Sequence, residues 1–398
     1  MLFASGSWSV TGVSDCPSEH PPVNQRLLFL IHSLSMGGAQ RAAVNLANHW
    51  VNKGYAVAVA TLSSNDSDFY ALDPRIERIA LDVAKPSWHP IAAVLNNVRT
   101  LQAVRRLLKQ WQPQVTIALM SSANVYLALA AWGLPGREIG CEQIHPPVAP
   151  LGRVWETLRR LAYGRLNHLV ALTAPSAAWL RNHTWAKHVT VIGNPVSWPL
   201  SAQPPVLDPD TLLPMGRQRL IAAGRLVEQK GFDLLIEAFA RLAPAFPAWD
   251  LVIVGEGPLR GLLEAQLARL GLQDRVFLVG SVGNIGAWYM ACDLYVMSSR
   301  YEGFPNTLEE ALACGLPAVS FDCETGPSDI IRPEVDGLLV PPGDVSALVS
   351  CLALVMTDQG LRERFALRAV EARERFSVDG IAGQWENLFL PKSKNESQ

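Results

Sequence analysis

Short apolar runs alternate with segments of helical period in two successive series along this chain, and that alternation restricts its fold more than any other feature. The first run, Arg26-Leu27-Leu28-Phe29-Leu30-Ile31, has the near-continuous apolarity of a strand buried on both faces. The pair Gly37-Gly38 follows, and Ala42, Leu46, Ala47 and Trp50 then recur at helical spacing up to the stop signal Lys53-Gly54. Residues 55–62 read as the next strand. Strands at 115–120, 137–142, 168–172 and 188–192, with helices over 92–111 and 153–166, continue the series. Residues 198–217 are rich in Pro and polar groups and lack a period, which predicts a linker. The pattern then restarts with strands at 219–223, 250–254, 275–279, 293–297 and 317–321. The helices of this second series fall at 231–244, 258–270, 285–291, 306–314 and from 344. Two such series, with right-handed crossovers between parallel strands, predict an α/β protein of two Rossmann-like, doubly wound domains facing across a cleft. The expected parts are a tail (1–25), a first domain (26–197), the linker (198–217) and a second domain (218–376). A helix at 377–390 that crosses back to the first domain and a second tail (391–398) complete the chain.

Composition narrows the setting. Six scattered cysteines, with no CxxC pair, support neither a zinc site nor a disulfide framework and fit a reducing compartment. The start of the chain lacks a basic segment leading into an apolar run, so it does not read as a signal peptide, and no stretch of eighteen apolar residues exists to span a bilayer. The net charge of −2 conceals an asymmetry. Residues 26–200 hold 17 Lys+Arg against 8 Asp+Glu, and the remainder 17 against 28. A basic first half suggests a face toward an anionic surface; two ordinary solvated surfaces would give the same counts.

The second half holds the sharpest constellation. Gly224-Arg225 closes one strand and Lys230-Gly231 opens the next helix, so both cations fall at a strand's carboxyl end, where ligands bind in such sheets. A guanidinium fork and an ammonium across a tight loop suit a diphosphate, although an Arg and a Lys beside a helix start are commonly plain surface charges. The loop has no GxxxxGK[ST] pattern, which disfavours ATP hydrolysis. The segment Glu302-Gly303-Phe304-Pro305-Asn306-Thr307-Leu308-Glu309-Glu310 then leads into a helix whose apolar face is Leu308, Ala311 and Leu312. Helical geometry turns Glu310, Asn306 and Thr307 away from that face and out of the core. The helix start offers free N–H groups to phosphate oxygens, and the carboxylates suit sugar hydroxyls, with Glu310 the better placed for a ribose. Eight helical residues would separate Glu302 from Glu310 by about 12 Å, beyond the spacing of a glycosidase pair, which favours binding roles.

Taken together these residues closely resemble glycosyltransferase family 4, retaining enzymes of GT-B fold. The motifs that carry the resemblance are HSLSMGGAQR (32–41), GRLVEQKG (224–231), VGEGP (254–258), SSRYEGFPNTLEEALACGLP (298–317) and DGLLVPPGD (336–344). It implies that Arg225 and Lys230 bind the donor diphosphate and, with Glu302, carry the catalysis. Glu302 would hold the transferred sugar and Glu310 the ribose. Backbone N–H groups of Thr307 and Leu308 would meet phosphate, with Gly303, Phe304 and Asn306 beside them. Gly37 and Gly38 would let the first domain close on the donor, and Gly224, Gly255 and Glu256 would lie near the nucleotide. Relatives often carry a His just after the strand at 137–142; here the residues within reach are Glu142 and His145, candidates for the sugar or acceptor. Gln40 stands where a Glu is frequent. The segments at 194–196 and 322–331 look like those of enzymes that extend polyprenyl-diphosphate-linked or other envelope glycans, including lipopolysaccharide.

The implied function is transfer of a hexose or N-acetylhexosamine from a nucleotide-sugar, a UDP-sugar by the subgroup resemblance, to a lipid-linked glycan. The enzyme would be peripheral on the cytoplasmic face of the inner membrane, with no nucleic-acid partner. Fixed cations replace a divalent metal in this scheme, so no metal or other cofactor is expected; the literal DxD at Asp66-Ser67-Asp68 reads as a solvated turn. Arg99, Arg106 and Lys109 near one face of helix 92–111, with Arg105 beside it, and Arg153, Arg159 and Arg160 on helix 153–166 form the candidate face for anionic lipid. The alternatives are a non-catalytic nucleotide-sugar-binding subunit and a sugar-nucleotide epimerase of the same fold.

Overall fold

In the computed structural model, residues 25–85 and 89–390 are described; both expected tails, apart from Gln25, lie outside them. Seven parallel strands form the first sheet: β1 (Arg26–Ile31), β2 (Ala56–Thr61), β3 (Glu77–Ala80), β4 (Val115–Leu119), β5 (Arg137–Glu142), β6 (His168–Ala171) and β7 (Val189–Val191). Their spatial order is β3-β2-β1-β4-β5-β6-β7. The second sheet has six: β8 (Gln218–Ala223), β9 (Trp249–Val254), β10 (Val276–Gly280), β11 (Leu294–Met297), β12 (Ala318–Phe321) and β13 (Gly337–Val340). They run β10-β9-β8-β11-β12-β13. Each sheet reverses its winding once, between β1 and β4 and between β8 and β11. The expected doubly wound α/β architecture is thus the observed one.

Strand alternation explains why both faces of each sheet are covered. Leu27, Phe29 and Ile31 enter one apolar cluster with Val57 and Val59, while Leu28 and Leu30 enter another with Ala58 and Ala60. The helices over the first sheet are α1 (Gly38–Asn52), α2 (Pro90–Trp111), α3 (Ser121–Ala130), α4 (Arg153–Ala162) and α5 (Ala174–His183). Neither α3 nor α5 was legible as a helix. The α3 segment, SSANVYLALA, is buried nearly all round and so carries no polar face to mark its period. The helix expected to run to 166 ends at Ala162 and passes into a 3-10 turn, Tyr163–Arg165, where a side chain on Gly164 would meet Trp185 Cβ at 2.9 Å.

The two domains are tied at their backs. Val196 pairs with Ser377 across the boundary, and the helix Val378–Phe389 then lies along α1. There Glu386 accepts from Trp50 Nε1 at 2.8 Å and from Lys53 at 3.2 Å, and Phe389 meets the Trp50 ring edge-on with centroids 5.8 Å apart. One apolar cluster consequently runs from Trp50 through Trp385 into Leu308 and Ile221 of the second domain. The segment between the domains is docked as well. Asn284 and Trp288 hydrogen-bond the Leu207 backbone at 2.8 to 3.1 Å, and residues Pro209–Leu212 form a helical turn.

Truncating the buried Phe389 to Ala removes most of that contact and leaves a cavity, at an expected cost of about 3–5 kcal/mol. Met290→Ala, at a side chain 65% exposed, should stay within about 0.5 kcal/mol of the parent. Urea unfolding followed by tryptophan fluorescence checks the pair.

Candidate active site

The reversal between β8 and β11 brings the loops after these two strands side by side. The first carries Gly224, Arg225 and Lys230, the second Ser298 to Pro305. Ser298 Oγ donates to the Lys230 carbonyl at 3.0 Å, and Gln229 Nε2 donates to Tyr301 O at 3.0 Å, so the loops hold each other. Lys230 Nζ reaches Glu302 Oε1 at 2.6 Å, and Ser299 Oγ donates to the same oxygen at 2.6 Å. The Glu302 carboxylate is buried, with Thr325 Oγ1 donating to its backbone carbonyl. Arg225 is exposed and, among the described residues, pairs with no carboxylate. The turn at 255–257 presses against this loop. Gly255 has φ 143°, and a Cβ there would stand 1.9 Å from Gly224 O, a fit that only glycine allows. Glu256 is exposed and paired with Arg260 at 3.0 Å.

The helix Asn306–Ala313 starts at this loop, and its surroundings differ from the sequence reading. Glu310, expected to face out of the core, is buried, as is Asn306, because the first domain covers them. Asn306 Nδ2 donates to Gly38 O at 3.0 Å, and a Cβ on Gly38 would lie 2.9 Å from that nitrogen, so the glycine loop is as close to this helix start as backbone can come. Gly37 N donates to the Tyr70 hydroxyl at 3.2 Å. Asn194 links Gln143 (3.1 Å) to Asn306 (3.0 Å), which extends a polar strap along the seam. Arg41 Nη1 donates to Glu310 Oε1. Burial works against the Arg41 charge, but Glu310 and Tyr70 more than offset it, and the guanidinium stays above its ordinary range. Thr307 Oγ1 accepts from the buried Tyr295 hydroxyl at 2.9 Å, and Leu308 N, expected to meet phosphate, instead donates to Pro305 O at 3.0 Å as the chain turns into the helix. Phe304 is buried against Phe376, with ring centroids 6.0 Å apart.

Of the two candidates that follow or end β5, His145 lies at the seam and Glu142 does not. His145 is buried, with Nδ1 3.0 Å from Ser176 Oγ and Nε2 3.5 Å from Glu324 of the second domain. Burial lowers its pKa, with Glu324 opposing. Glu142 is instead enclosed within its own domain, where Ser121 Oγ (2.8 Å) and the Tyr163 hydroxyl donate to its two oxygens. Burial pushes its carboxyl up. Both oxygens have internal partners, a placement that serves the β5–α3 junction. In the DxD string, Asp68 pairs with Arg78 at 2.7 Å and Asp66 accepts from Ser64 at 2.9 Å, an exposed turn. The reading from sequence passed over Arg41, Tyr70, Gln143 and Asn194. Arg41 left a signal as the last residue of the HSLSMGGAQR motif, and Asn194 as the first of the segment 194–196.

Two Rossmann-like domains face each other across a seam lined by a cation loop, a helix start and buried carboxylates, and the structural neighbours of this arrangement are glycosyltransferases of GT-B fold. Residues 36–197 match the family described as Glycosyltransferase Family 4, and residues 206–371 the one described as Glycosyl transferases group 1. By both halves the chain is a glycosyltransferase. An exopolysaccharide phosphotransferase of Streptomyces coelicolor is 29% identical over 384 residues, an alignment covering 89% of this chain and 39% of that protein. The alpha-1,4-N-acetyl-D-galactosaminyltransferase of Campylobacter jejuni that acts on GalNAc-alpha-(1->4)-GalNAc-alpha-(1->3)-diNAcBac-PP-undecaprenol is 28% identical over 374 residues, covering 92% of this chain and 98% of that one. In fold, the chain superposes on sucrose-phosphate synthase of Thermosynechococcus elongatus with TM-score 0.78 at 21% identity, covering 92% and 98% of the two chains.

Glu309, beside Glu310, is fully buried with neither carboxylate oxygen hydrogen-bonded among the described residues. Burial and then Glu310 raise its pKa well above the usual carboxylate range, and Arg375 only partly opposes them. A raised folded-state pKa costs stability once the unfolded chain ionises, above about pH 4.3, and costs nothing below it. Glu309→Gln should therefore melt higher than the parent at pH 7, with the gap closing toward pH 4. Thermal melts across that range check the sign.

Proposed function

We propose that this glycosyltransferase moves a hexose or N-acetylhexosamine from a UDP-sugar to a polyprenyl-diphosphate-linked glycan in envelope polysaccharide synthesis, with retention of anomeric configuration. The observation that carries the reading is the contact of Lys230 with the buried Glu302, with the exposed Arg225 on the same loop. A sugar diphosphate bound there meets cations at its phosphates and a carboxylate at its hydroxyls in one cleft. As the bond from sugar to phosphate breaks, negative charge gathers on the departing diphosphate. Arg225, Lys230 and the positive end of the dipole of the helix Asn306–Ala313 are arranged in advance to stabilise it. Glu302 orients the sugar, and Glu310 accepts from the ribose hydroxyls. The acceptor hydroxyl attacks from the face the diphosphate leaves and passes its proton to the departing phosphate oxygen, with no covalent glycosyl-enzyme. Because the cations are part of the chain, turnover proceeds without a divalent metal. The Campylobacter relative's undecaprenol-linked acceptor supports a lipid-linked acceptor here.

A panel of UDP- and GDP-sugars offered with a polyprenyl-diphosphate-linked acceptor tests the reading, with product anomers assigned by NMR. Lys230→Ala and Glu302→Ala should each lower kcat by about 10²–10³-fold, the scale for loss of one prearranged electrostatic group. EDTA should leave the rate unchanged. Inverted product, or trapping of a glycosyl-enzyme, would refute the mechanism.

The enzyme would work from the cytoplasmic side, resting on the membrane by its first domain. Among the described residues, no single helix is long and apolar enough to cross a bilayer. On α2, however, Ile91, Val94, Leu95 and Val98 stand 45–65% exposed at helical spacing, followed by exposed Arg99, Arg106 and Lys109. An apolar stripe with cations further along suits an anionic lipid surface. Two residues of the face read from sequence drop out. Arg159 is buried, paired with Glu156 and 4.8 Å over the Trp179 ring, and Arg105 donates to the Ala130 and Trp132 carbonyls at 2.6 and 2.8 Å. Flotation with anionic vesicles should be lost in the double variant Ile91→Asp/Leu95→Asp, with hydrolysis of the soluble donor unchanged.

A further inference from the structure

Glu310 is enclosed at the seam between the two domains. Its side chain is 5% exposed, and the fully buried Tyr289 and Tyr295 lie in the apolar wall around it. Among the described residues the only cation paired with it is Arg41, which comes from the opposite domain. Burial pushes its carboxyl up toward the neutral form, and Arg41 opposes that push. Arg41 is itself held in place. Its guanidinium carbon lies 5.2 Å from the centroid of the Tyr70 ring, and the Tyr70 hydroxyl accepts from Gly37 N at 3.2 Å. One aromatic ring thus fixes both the glycine loop and the cation that follows it.

From this geometry we infer that Arg41 is a positioning residue for ribose: it presents Glu310 as an oriented carboxylate, and does so only while the two domains are closed. The inference rests on the reading above in which Glu310 accepts from ribose hydroxyls. A buried carboxylate without a cation takes up a proton, and a protonated carboxyl has lost acceptor capacity for a pair of vicinal hydroxyls. Arg41 occupies Oε1 from one side and leaves Oε2 and the remaining lone pairs for the ligand. Because Arg41 and Glu310 belong to different domains, opening the cleft separates them. Ribose recognition and closure then become one event, each favouring the other through the same ion pair.

Binding of UDP and of inorganic diphosphate to the full-length protein, by titration calorimetry, tests the inference. Diphosphate shares the phosphates with UDP and lacks the ribose. Arg41→Met should weaken UDP by about tenfold to a hundredfold, the scale of a charge-assisted hydrogen bond, and leave diphosphate within twofold of the parent. Arg41→Lys, which restores charge without the planar fork, should recover part of the loss. In a Glu310→Gln background, Arg41→Met should cost nothing further, since Arg41 acts through Glu310. Equal weakening of UDP and diphosphate would make Arg41 a phosphate ligand and overturn the inference, as would full additivity of the two substitutions. Thermal melts of each variant identify a loss that is merely unfolding, and a folded Arg41→Met protein that binds UDP as the parent does is a refutation. A parent protein that binds diphosphate but not UDP, GDP or ADP would instead sink the ribose role of Glu310 beneath it.

Discussion

A carboxylate withdrawn from water keeps its charge best beside a cation, and Glu302 and Glu310 find theirs in opposite directions. Glu302 is met by Lys230 from its own domain, and Glu310 by Arg41 from the other. The first pair can form in the second domain alone. The second forms only when the domains approach, so the charge state of the cleft depends on its being closed. The same approach of the domains brings the glycine loop onto Asn306 and completes the strap through Asn194.

What makes these pairings possible is the reversal of strand order. In each sheet two loops that are distant in sequence emerge side by side at the carboxyl edge, and in the second sheet these are the loops of Lys230 and Glu302. Both loops are shaped by close backbone approach. A side chain at Gly255 would strike the Gly224 carbonyl, and one at Gly231 would meet the Ser298 carbonyl at 2.1 Å. The helix Val378–Phe389 serves the same end from behind, anchoring the second domain to Trp50 so that the facing edges stay in register.

The misreadings share a physical cause. Helical angles turned Glu310 away from the apolar face of its own helix, which is correct for an isolated helix; burial came from α1 of the other domain, which no local period encodes. Arg159 lies within an amphipathic segment where arginine ordinarily faces water, yet it stacks on Trp179 of the next helix. Glu142 ends a strand beside the cleft, and the hydroxyls that occupy it, from Ser121 and Tyr163, are 21 residues away on either side.

By itself the sequence determined the two α/β series, the strand ends at which Arg225, Lys230 and Glu302 would stand, and the family they resemble. Those features are local: apolar runs mark strands, and motif residues flank them within one turn of chain. Only the tertiary structure decided which buried carboxylate meets which cation, and that the first domain contributes Arg41, Tyr70 and Asn194 to the seam. Such partners are set by how two separately folded sheets approach each other, a contact between residues 269 positions apart in the case of Arg41 and Glu310, and no short-range pattern in the chain records it.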